Sequence, residues 1–163
     1  MKLKKLITES AKLLGIEDQD SILMRCANLV VSNVACNYED FIAVQDFEVT
    51  DGKIDFKNFK KTFLKIKSVK IGGREVKSDM FVNYLSVPNG RVTVEYCYIP
   101  RFTAMGNRVS DIAGKINENT LLYGIMAEYA SISGLEREEK DWSDKFENLL
   151  FAGKHTGKTR RLP

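Results

Sequence analysis

The spacing of apolar residues changes twice along this chain, and this change constrains the fold more than any other sequence feature. Near both ends, apolar residues recur at intervals of three and four, which is typical of amphipathic helices. Across residues 41–100 the interval falls to two, which indicates strands. Helical ends and a strand-rich middle predict an α+β fold, in which a helical bundle carries an inserted small antiparallel β-meander.

Local signals divide the helical ends into two N-terminal and two C-terminal helices. Gly15 and Gly134 interrupt the helical pattern, as glycines do where a helix ends and the chain turns. Asn117 can cap the helix that follows it. The four predicted helices cover about residues 2–14, 21–36, 117–133 and 135–152.

The strand-rich middle contains strong turn signals. Asp51 and Gly52 stand between alternating apolar residues and predict a hairpin, and Gly72 with Gly73 predicts a second turn. The alternation slips by one residue in the third strand, which a β-bulge near Ser68 would produce. Residues 101–115 show no clear period and are expected to form a long connecting loop.

Charge separates a single domain, residues 1–152, from a basic tail, residues 153–163. The chain of 163 residues has 25 basic and 22 acidic residues, and the tail holds four of the basic residues and no acid. Removing those four leaves 21 basic residues against 22 acids, so the domain has a net charge of about −1. A neutral domain argues against diffuse nucleic-acid binding by the folded part.

Three cysteines and short apolar runs indicate a cytoplasmic protein. Cys26, Cys36 and Cys97 include no Cys-x-x-Cys pair, so we expect buried reduced thiols, with neither a disulfide framework nor a zinc site. No apolar run is long enough to cross a membrane, and no signal peptide is expected.

No catalytic, cofactor-binding or metal-binding residue emerges from the motifs. Residues 152–159 fit a loosened P-loop pattern, but a P-loop needs a strand before it and a helix after it. Here a predicted helix precedes the pattern and only residues 160–163 follow it, so we do not expect a nucleotide site. His155 is the only histidine, and no nearby carboxylate orients it as a general base. The acids of residues 136–144 alternate with basic residues, as on the solvated face of a helix.

One binding hypothesis concerns aromatic residues on the strands. A sheet surface that presents aromatic rings can stack nucleobases. Ordinary strand packing explains the same residues equally well, because aromatic residues favour strands. The candidate residues are Phe81, Tyr84, Tyr96 and Tyr98.

Taken together, the pieces resemble the head-to-tail connector (adaptor) proteins of tailed double-stranded DNA bacteriophages. The resemblance covers most of the chain and is carried by structural motifs. One departure is that such tails often continue into further basic and aromatic residues, whereas this one stops at Pro163. The motifs are LLYGIMAEY at 121–129, SGL at 133–135, Trp142 with Lys145 and Phe146, VEYCYIP at 94–100 and KTRRLP at 158–163.

The resemblance implies a structural role in the virion and no enzyme activity or cofactor. Such adaptors form a closed homo-oligomeric ring, commonly twelve-fold, under the portal protein at the capsid vertex, after assembly in the host cytoplasm. The ring extends the DNA channel without sequence-specific binding and is the platform for a downstream neck or tail protein; no membrane is involved. The C-terminal segment docks on the portal, which assigns portal binding to Lys154, His155, Lys158, Thr159, Arg160, Arg161, Leu162 and Pro163.

Three alternatives stay open at this point. The chain could be a head-completion or tail-terminator protein of the same virion. It could be a nucleic-acid-binding accessory protein whose residues 154–161 contact phosphates, which predicts strongly salt-dependent DNA affinity. An enzyme would need a cluster of perturbed titratable groups, which the sequence does not reveal.

Overall fold

The computed structural model describes residues 1–155 and divides the chain into two compact units. The helical unit comprises Met1–Val34 and the described residues from 101 onward, and the β unit comprises Ala35–Pro100. Helices and antiparallel sheets occur together, which confirms the α+β class. The helices are α1 (Leu3–Leu14), α2 (Asp20–Asn37), α3 (Val109–Ala113), α4 (Glu118–Ile132) and α5 (Glu136–His155). The strands are β1 (Ile42–Val49), β2 (Lys53–Asp55), β3 (Thr62–Ile71), β4 (Arg74–Glu75), β5 (Asp79–Met80), β6 (Tyr84–Ser86) and β7 (Gly90–Ile99).

Helix α4 lies at the centre of the helical unit. Its residues Leu121, Ile125 and Met126 have no solvent exposure, and it packs closely against α5 and also against α1. A helix that is apolar on nearly every side is stable only when other elements surround it. Leu6 and Leu23, from α1 and α2, complete this core.

The predicted helix ends are confirmed at three positions. Gly15 has a φ of 66°, and its amide group donates hydrogen bonds to the carbonyl oxygens of Ala11 and Lys12. Gly134 has a φ of 70°. The Asn117 side chain accepts a hydrogen bond of 2.8 Å from the amide of Asn119, which satisfies a free donor at the start of α4.

Residues 101–115 are more ordered than the predicted loop. They contain α3, because Val109 and Ala113 lie one helical turn apart and both are buried. The Asn28 side chain on α2 accepts a hydrogen bond from the Phe102 amide at 2.7 Å. It also donates one to the Phe102 carbonyl at 3.1 Å, so this segment is held to α2 within the helical unit.

The β unit contains two antiparallel sheets. One has the order β1-β7-β3-β4 and the other has the order β2-β6-β5. The hairpin predicted at Asp51 and Gly52 is wrong: the chain turns there, but β1 pairs with β7 and β2 pairs with β6. Turn residues set only the local bend, whereas burial selects the strand partner, and Ile54 is buried opposite Leu85 in the second sheet.

The predicted β-bulge is confirmed. The register between β3 and β7 shifts twice, between Phe63 and Lys65 and again between Ile66 and Ser68. These shifts keep Ile66 opposite Tyr96, on the face that packs against the core of this unit. The apparent slip in the sequence is therefore an extra residue inserted into a strand whose inner face stays apolar.

Aromatic rings fill the core of the β unit. Phe56 and Phe63 are stacked with their ring centroids 4.4 Å apart, and Phe59 meets Tyr96 edge to face at 4.6 Å. Phe47 adds a further contact with Phe59 at 5.0 Å. The β unit therefore has a hydrophobic core of its own.

Candidate interaction surfaces

The first two residues of the predicted portal-binding set lie on α5. This helix continues through Lys154 and His155, three residues beyond the predicted end at Ala152. A glycine such as Gly153 weakens a helix by about 1 kcal/mol relative to alanine and does not by itself end it. The other members lie outside the described residues: Lys158, Thr159, Arg160, Arg161, Leu162 and Pro163.

The glycine of the 121–129 motif allows three helices to approach closely. A Cβ atom built at Gly124 would lie 2.8 and 3.0 Å from the two methyl carbons of Val30 on α2. It would also lie 3.1 Å from Cδ2 of Phe146 on α5. Carbon atoms normally pack about 3.5–4.0 Å apart, so this position requires glycine for packing.

The Trp142 motif also has a packing role. The Trp142 and Tyr123 rings are stacked with centroids 5.7 Å apart, and they join α5 to α4. The Lys145 ammonium group lies 4.1 Å from the centroid of Trp142, at the distance of a cation–π contact. Residues of the 121–129 motif and of the Trp142 motif thus fix the α4–α5 pair.

A half-buried carboxylate lies in the same unit. Burial raises the pKa of Glu128 above its ordinary value, and the negative charge of Glu139 raises it further. Burial also raises the pKa of the Cys26 thiol to about 11, with a further contribution from Glu128. Cys26 is therefore a neutral core residue, because a reactive cysteine requires a lowered pKa.

Asp40 joins two lysines of β3 in the β unit. Its carboxylate binds Lys65 at 2.8 Å and also binds Lys67, whose position follows from the second bulge of β3. These lysines hold the pKa of Asp40 far below its ordinary range. Cys97 is buried, and burial raises the pKa of its thiol. A hydrogen bond between this thiol and Asp40 raises that pKa further. The expectation of three buried thiols is wrong only for Cys36, which is exposed on the last turn of α2.

The four aromatic residues of the stacking hypothesis do not share one surface. Tyr96 is only 1% exposed and belongs to the core of the β unit. Tyr98 lies edge-on to Phe41, whereas Phe81 stacks on Tyr84 beside the other sheet. The structure therefore favours the strand-packing interpretation.

The tip of the β5–β6 hairpin is the most exposed apolar feature of the β unit. We call Met80, Phe81 and Val82 the tip; they are 64%, 49% and 92% exposed. The alternation across residues 41–100 indicates strands, whereas residues 81–83 lie outside any strand and β6 begins at Tyr84. Three successive apolar residues break the alternation of a half-buried strand, and this signal could have identified the tip.

A second exposed apolar feature lies between α4 and α5. We call Ile132, Gly134 and Leu135 the elbow; Ile132 is 51% exposed and Leu135 is 40% exposed. No atom lies within 4 Å of a Cβ built at Gly134, so the elbow is open. The acids that follow it are exposed at Glu136 and Glu138, as predicted for a solvated helix face.

Among residues 1–155, no group of three or more histidine, cysteine, aspartate and glutamate side chains could hold a metal ion. No helix in the same range is both long and apolar enough to span a membrane. A comparison with protein-family models gives no match, and no curated protein matches the chain significantly.

Proposed function

We propose that this chain is the subunit of a head-to-tail connector ring in a tailed double-stranded DNA bacteriophage. In this role it docks on the portal protein in the virion, extends the DNA channel and provides the platform for tail attachment. The basic tail is the portal anchor, and the folded units build the ring. No catalytic step is part of the proposal.

The observation that carries the proposal is the separation of charge along the chain. Residues 153–163 hold four basic residues and no acid, whereas the preceding 152 residues are close to neutral. The first three residues of this tail, 153–155, form the end of α5, a helix of 20 residues that is about 30 Å long. A charged segment that begins at the end of a long helix is well placed to reach a partner with acidic grooves.

The arrangement of elements gives further support. Helices from both ends of the chain form one unit, and the strands between them form the other, which fits a helical bundle with an inserted small sheet. The motifs shared with connector proteins hold α4 against α5 and α2, through Gly124 and through the stacked pair Tyr123 and Trp142. A tightly packed helical pair is the kind of rigid body that a ring subunit needs, because small errors of angle accumulate around a ring.

The test compares three proteins, each mixed with the portal protein encoded by the same genome. They are the full chain, a truncation that ends at His155 so that α5 is preserved, and a full-length variant with Lys158, Arg160 and Arg161 changed to glutamine. We expect negative-stain images and pull-downs to show an added ring only with the full chain. The variant controls for length, because it retains every residue position and removes only charge.

The opposite outcome identifies the nucleic-acid alternative. If the full chain does not bind the portal protein but binds duplex DNA with an affinity that falls steeply as the salt concentration rises, the connector proposal is wrong. The glutamine variant would then lose DNA binding, and the tail would be a phosphate-contacting arm.

A further inference from the structure

Strand β1 has a free edge, and one hydrogen bond identifies the backbone groups that point toward it. The order of the sheet gives β1 a partner, β7, on one side only. The Tyr98 amide donates to the Phe41 carbonyl at 2.8 Å, in the register that continues through β1 and β7. Bonded and non-bonded pairs alternate in an antiparallel ladder, so odd-numbered residues of β1 bond to β7 and even-numbered ones point to the free edge. Among residues 1–155, no hydrogen bond joins another segment to the backbone of Ile42, Val44, Asp46 or Glu48.

This edge lacks the features that protect exposed strands. A long unpaired edge is a template for a further strand, and lysines, prolines and bulges discourage such pairing. β1 has eight residues without lysine, proline or a register shift. β3 is flanked by β4 only at Lys70 and Ile71, but it has two bulges and carries Lys65 and Lys67. β1 is therefore the edge of this sheet that is open to a covering strand.

The side chains on this edge are apolar at one end and acidic at the other. Phe47 packs against the core, so the even-numbered side chains lie on the outer face, and all four are exposed. Ile42 and Val44 form the apolar end, whereas Asp46 and Glu48 form the acidic end. A covering strand is stable when its own side chains complement both ends.

The neighbouring charges leave the acidic end negative. Arg91 lies opposite Glu48 and binds Asp46 at 3.1 Å. Glu95 lies opposite Val44 and adds a third carboxylate, so three acids face one base on β1 and β7. Cations on the covering strand are therefore favoured at this end.

The apolar end has no such excess of acids. Asp40, which precedes β1, binds both Lys65 and Lys67. Lys60 approaches β1 through its amide, which binds the Gln45 side chain on the opposite face of the sheet. A covering strand should therefore carry its cations at the acidic end only.

The residues after α5 contain a segment with the matching pattern. Lys158, Arg160 and Leu162 alternate along the tail and lie outside the described residues. In a strand, side chains two residues apart share one face. A strand antiparallel to β1 would pair Lys158 with Glu48, Arg160 with Asp46, and Leu162 with Val44.

Leu162 decides the direction of the covering strand. A parallel strand could keep both charge pairs only by carrying Leu162 past the acidic end to Thr50, away from Ile42 and Val44. The antiparallel strand also suits Pro163, which has no amide hydrogen and would fall where the backbone faces away from β1.

We infer that residues 158–162 of one copy add to the free edge of β1 in a second copy, as an antiparallel strand outside β1. The tail and β1 belong to different compact units. Exchange of a segment between copies is a low-cost route to association. In the free protein this contact covers the exposed edge.

The inference rests on the proposed function in one respect. Residues 158–162 are also assigned to the portal protein, so portal docking must displace them from β1. A contact of five residues is weak enough to be displaced, because it covers far less than the standard interface of about 800 Å² on each partner. The tail would therefore exchange β1 for the portal protein when the latter is present.

Cysteine cross-linking tests the contact and its register. In a Cys36→Ser background, which removes the exposed thiol, full-length Val44→Cys protein is mixed with full-length Leu162→Cys protein in a glutathione buffer. The matched control replaces Leu162→Cys with Arg161→Cys, because adjacent residues of a strand face opposite sides. We expect several-fold more mixed disulfide dimer with Leu162→Cys. Equal yields, or more dimer with Arg161→Cys, would overturn the inference.

Charge reversal tests the direction of the strand. Lys158→Glu on the Leu162→Cys copy should lower the yield of mixed dimer several-fold, and Glu48→Lys on the Val44→Cys copy should restore it. An unchanged yield would show that Lys158 has no acidic partner on β1. A loss that Glu48→Lys does not restore would overturn the antiparallel register.

The portal protein separates this inference from the proposed function. If wild-type protein adds a ring to portal but the specific cross-link never forms, the tail–β1 contact is wrong and the connector proposal stands. If the cross-link forms but wild-type protein adds no ring, the contact stands and the connector proposal fails. If both occur, prior addition of portal protein should lower the cross-link yield several-fold, and an unchanged yield would overturn the proposed displacement.

Discussion

Replacing Gly124 with alanine adds one methyl group at a point where α2, α4 and α5 meet. Alanine is favoured over glycine inside a helix by about 1 kcal/mol. The new carbon would lie 2.8 Å from a Val30 methyl group, so that group would have to retreat by roughly 0.7 Å to reach normal contact. Val30 is 2% exposed and β-branched, which leaves one strongly preferred rotamer in a helix, so α2 itself must shift.

Overpacking a core by one carbon costs about 1–3 kcal/mol. Subtracting the helix-propensity gain, we expect Gly124→Ala to lower the free energy of unfolding by about 1 kcal/mol. The sign should reverse in a Val30→Ala background, where both obstructing methyl groups are absent and the added carbon fills part of the cavity. There Gly124→Ala should stabilise by about 1 kcal/mol, which gives a coupling of about 2 kcal/mol between the two positions.

Urea unfolding followed by Trp142 fluorescence measures these differences in the helical unit, because Trp142 is the only tryptophan and stacks on α4. Gly106→Ala is the control: no atom lies within 4 Å of its built Cβ, and its φ lies outside the left-handed region. It should be neutral or stabilising by less than about 1 kcal/mol. If Gly124→Ala stabilised the wild-type protein as much as the Val30→Ala variant, the close-packing argument would be refuted.

Two carboxylates should affect stability with opposite dependence on pH, and thermal melts from about pH 3 to pH 8 would measure both. Asp40→Asn removes the partner of Lys65 and Lys67, and we expect a fall in Tm at neutral pH of roughly 2–4 °C, the effect of about 1 kcal/mol. Because the pKa of Asp40 is lowered in the folded state, this loss should be complete above the ordinary pKa of aspartate and should start to shrink only as the pH falls below that pKa. Burial and, to a smaller extent, the charge of Glu139 raise the pKa of Glu128 in the folded state. Ionisation of Glu128 above that raised pKa therefore costs stability, and we expect Glu128→Gln to raise Tm at neutral pH. The gain should vanish below the ordinary pKa of glutamate, and a gain that persisted in acid would rule out the charge as its cause.

The parts of the fold that could be predicted from sequence are those set by local chemistry. Left-handed glycines at Gly15 and Gly134 and the cap at Asn117 act within one helical turn, so neighbouring residues suffice to identify them. The bulge near Ser68 was visible because two bulges must leave an irregular apolar spacing along β3. Helix α3 has only five residues and too little pattern to detect.

Strand pairing could not be predicted, because it depends on residues far apart in the chain. Val49 pairs with Gly90, although the turn at Asp51 favoured pairing with the next strand. The Asp-Gly dipeptide predicts that the chain turns, and it does not specify which strands pair. Burial of residues far apart in the sequence decides which strands become neighbours. The contact of Asn28 with Phe102 could not be predicted for the same reason, since the two residues lie 74 positions apart.

The candidate surfaces were predicted only in part. The basic tail was predicted from charge alone, because residues 153–163 hold four basic residues and no acid, and it stays a prediction because residues 156–163 lie outside the described residues. The tip was missed, because an apolar residue such as Val82 is equally compatible with a buried strand and an exposed turn. The break in alternation at residues 80–82 was the available signal, and the 92% exposure of Val82 decides between the two cases.

The order of elements also governs how the protein folds during synthesis. The chain enters the β unit through β1 and leaves it through β7, which are neighbouring strands, so this unit is complete once residue 100 has left the ribosome. The apolar faces of α1 and α2 must wait for α4, whose last residue is Ile132. At about 5–20 residues per second, Val30 waits roughly 5–20 seconds for its partner. The nascent chain therefore carries a finished β unit behind two helices whose apolar faces are not yet buried.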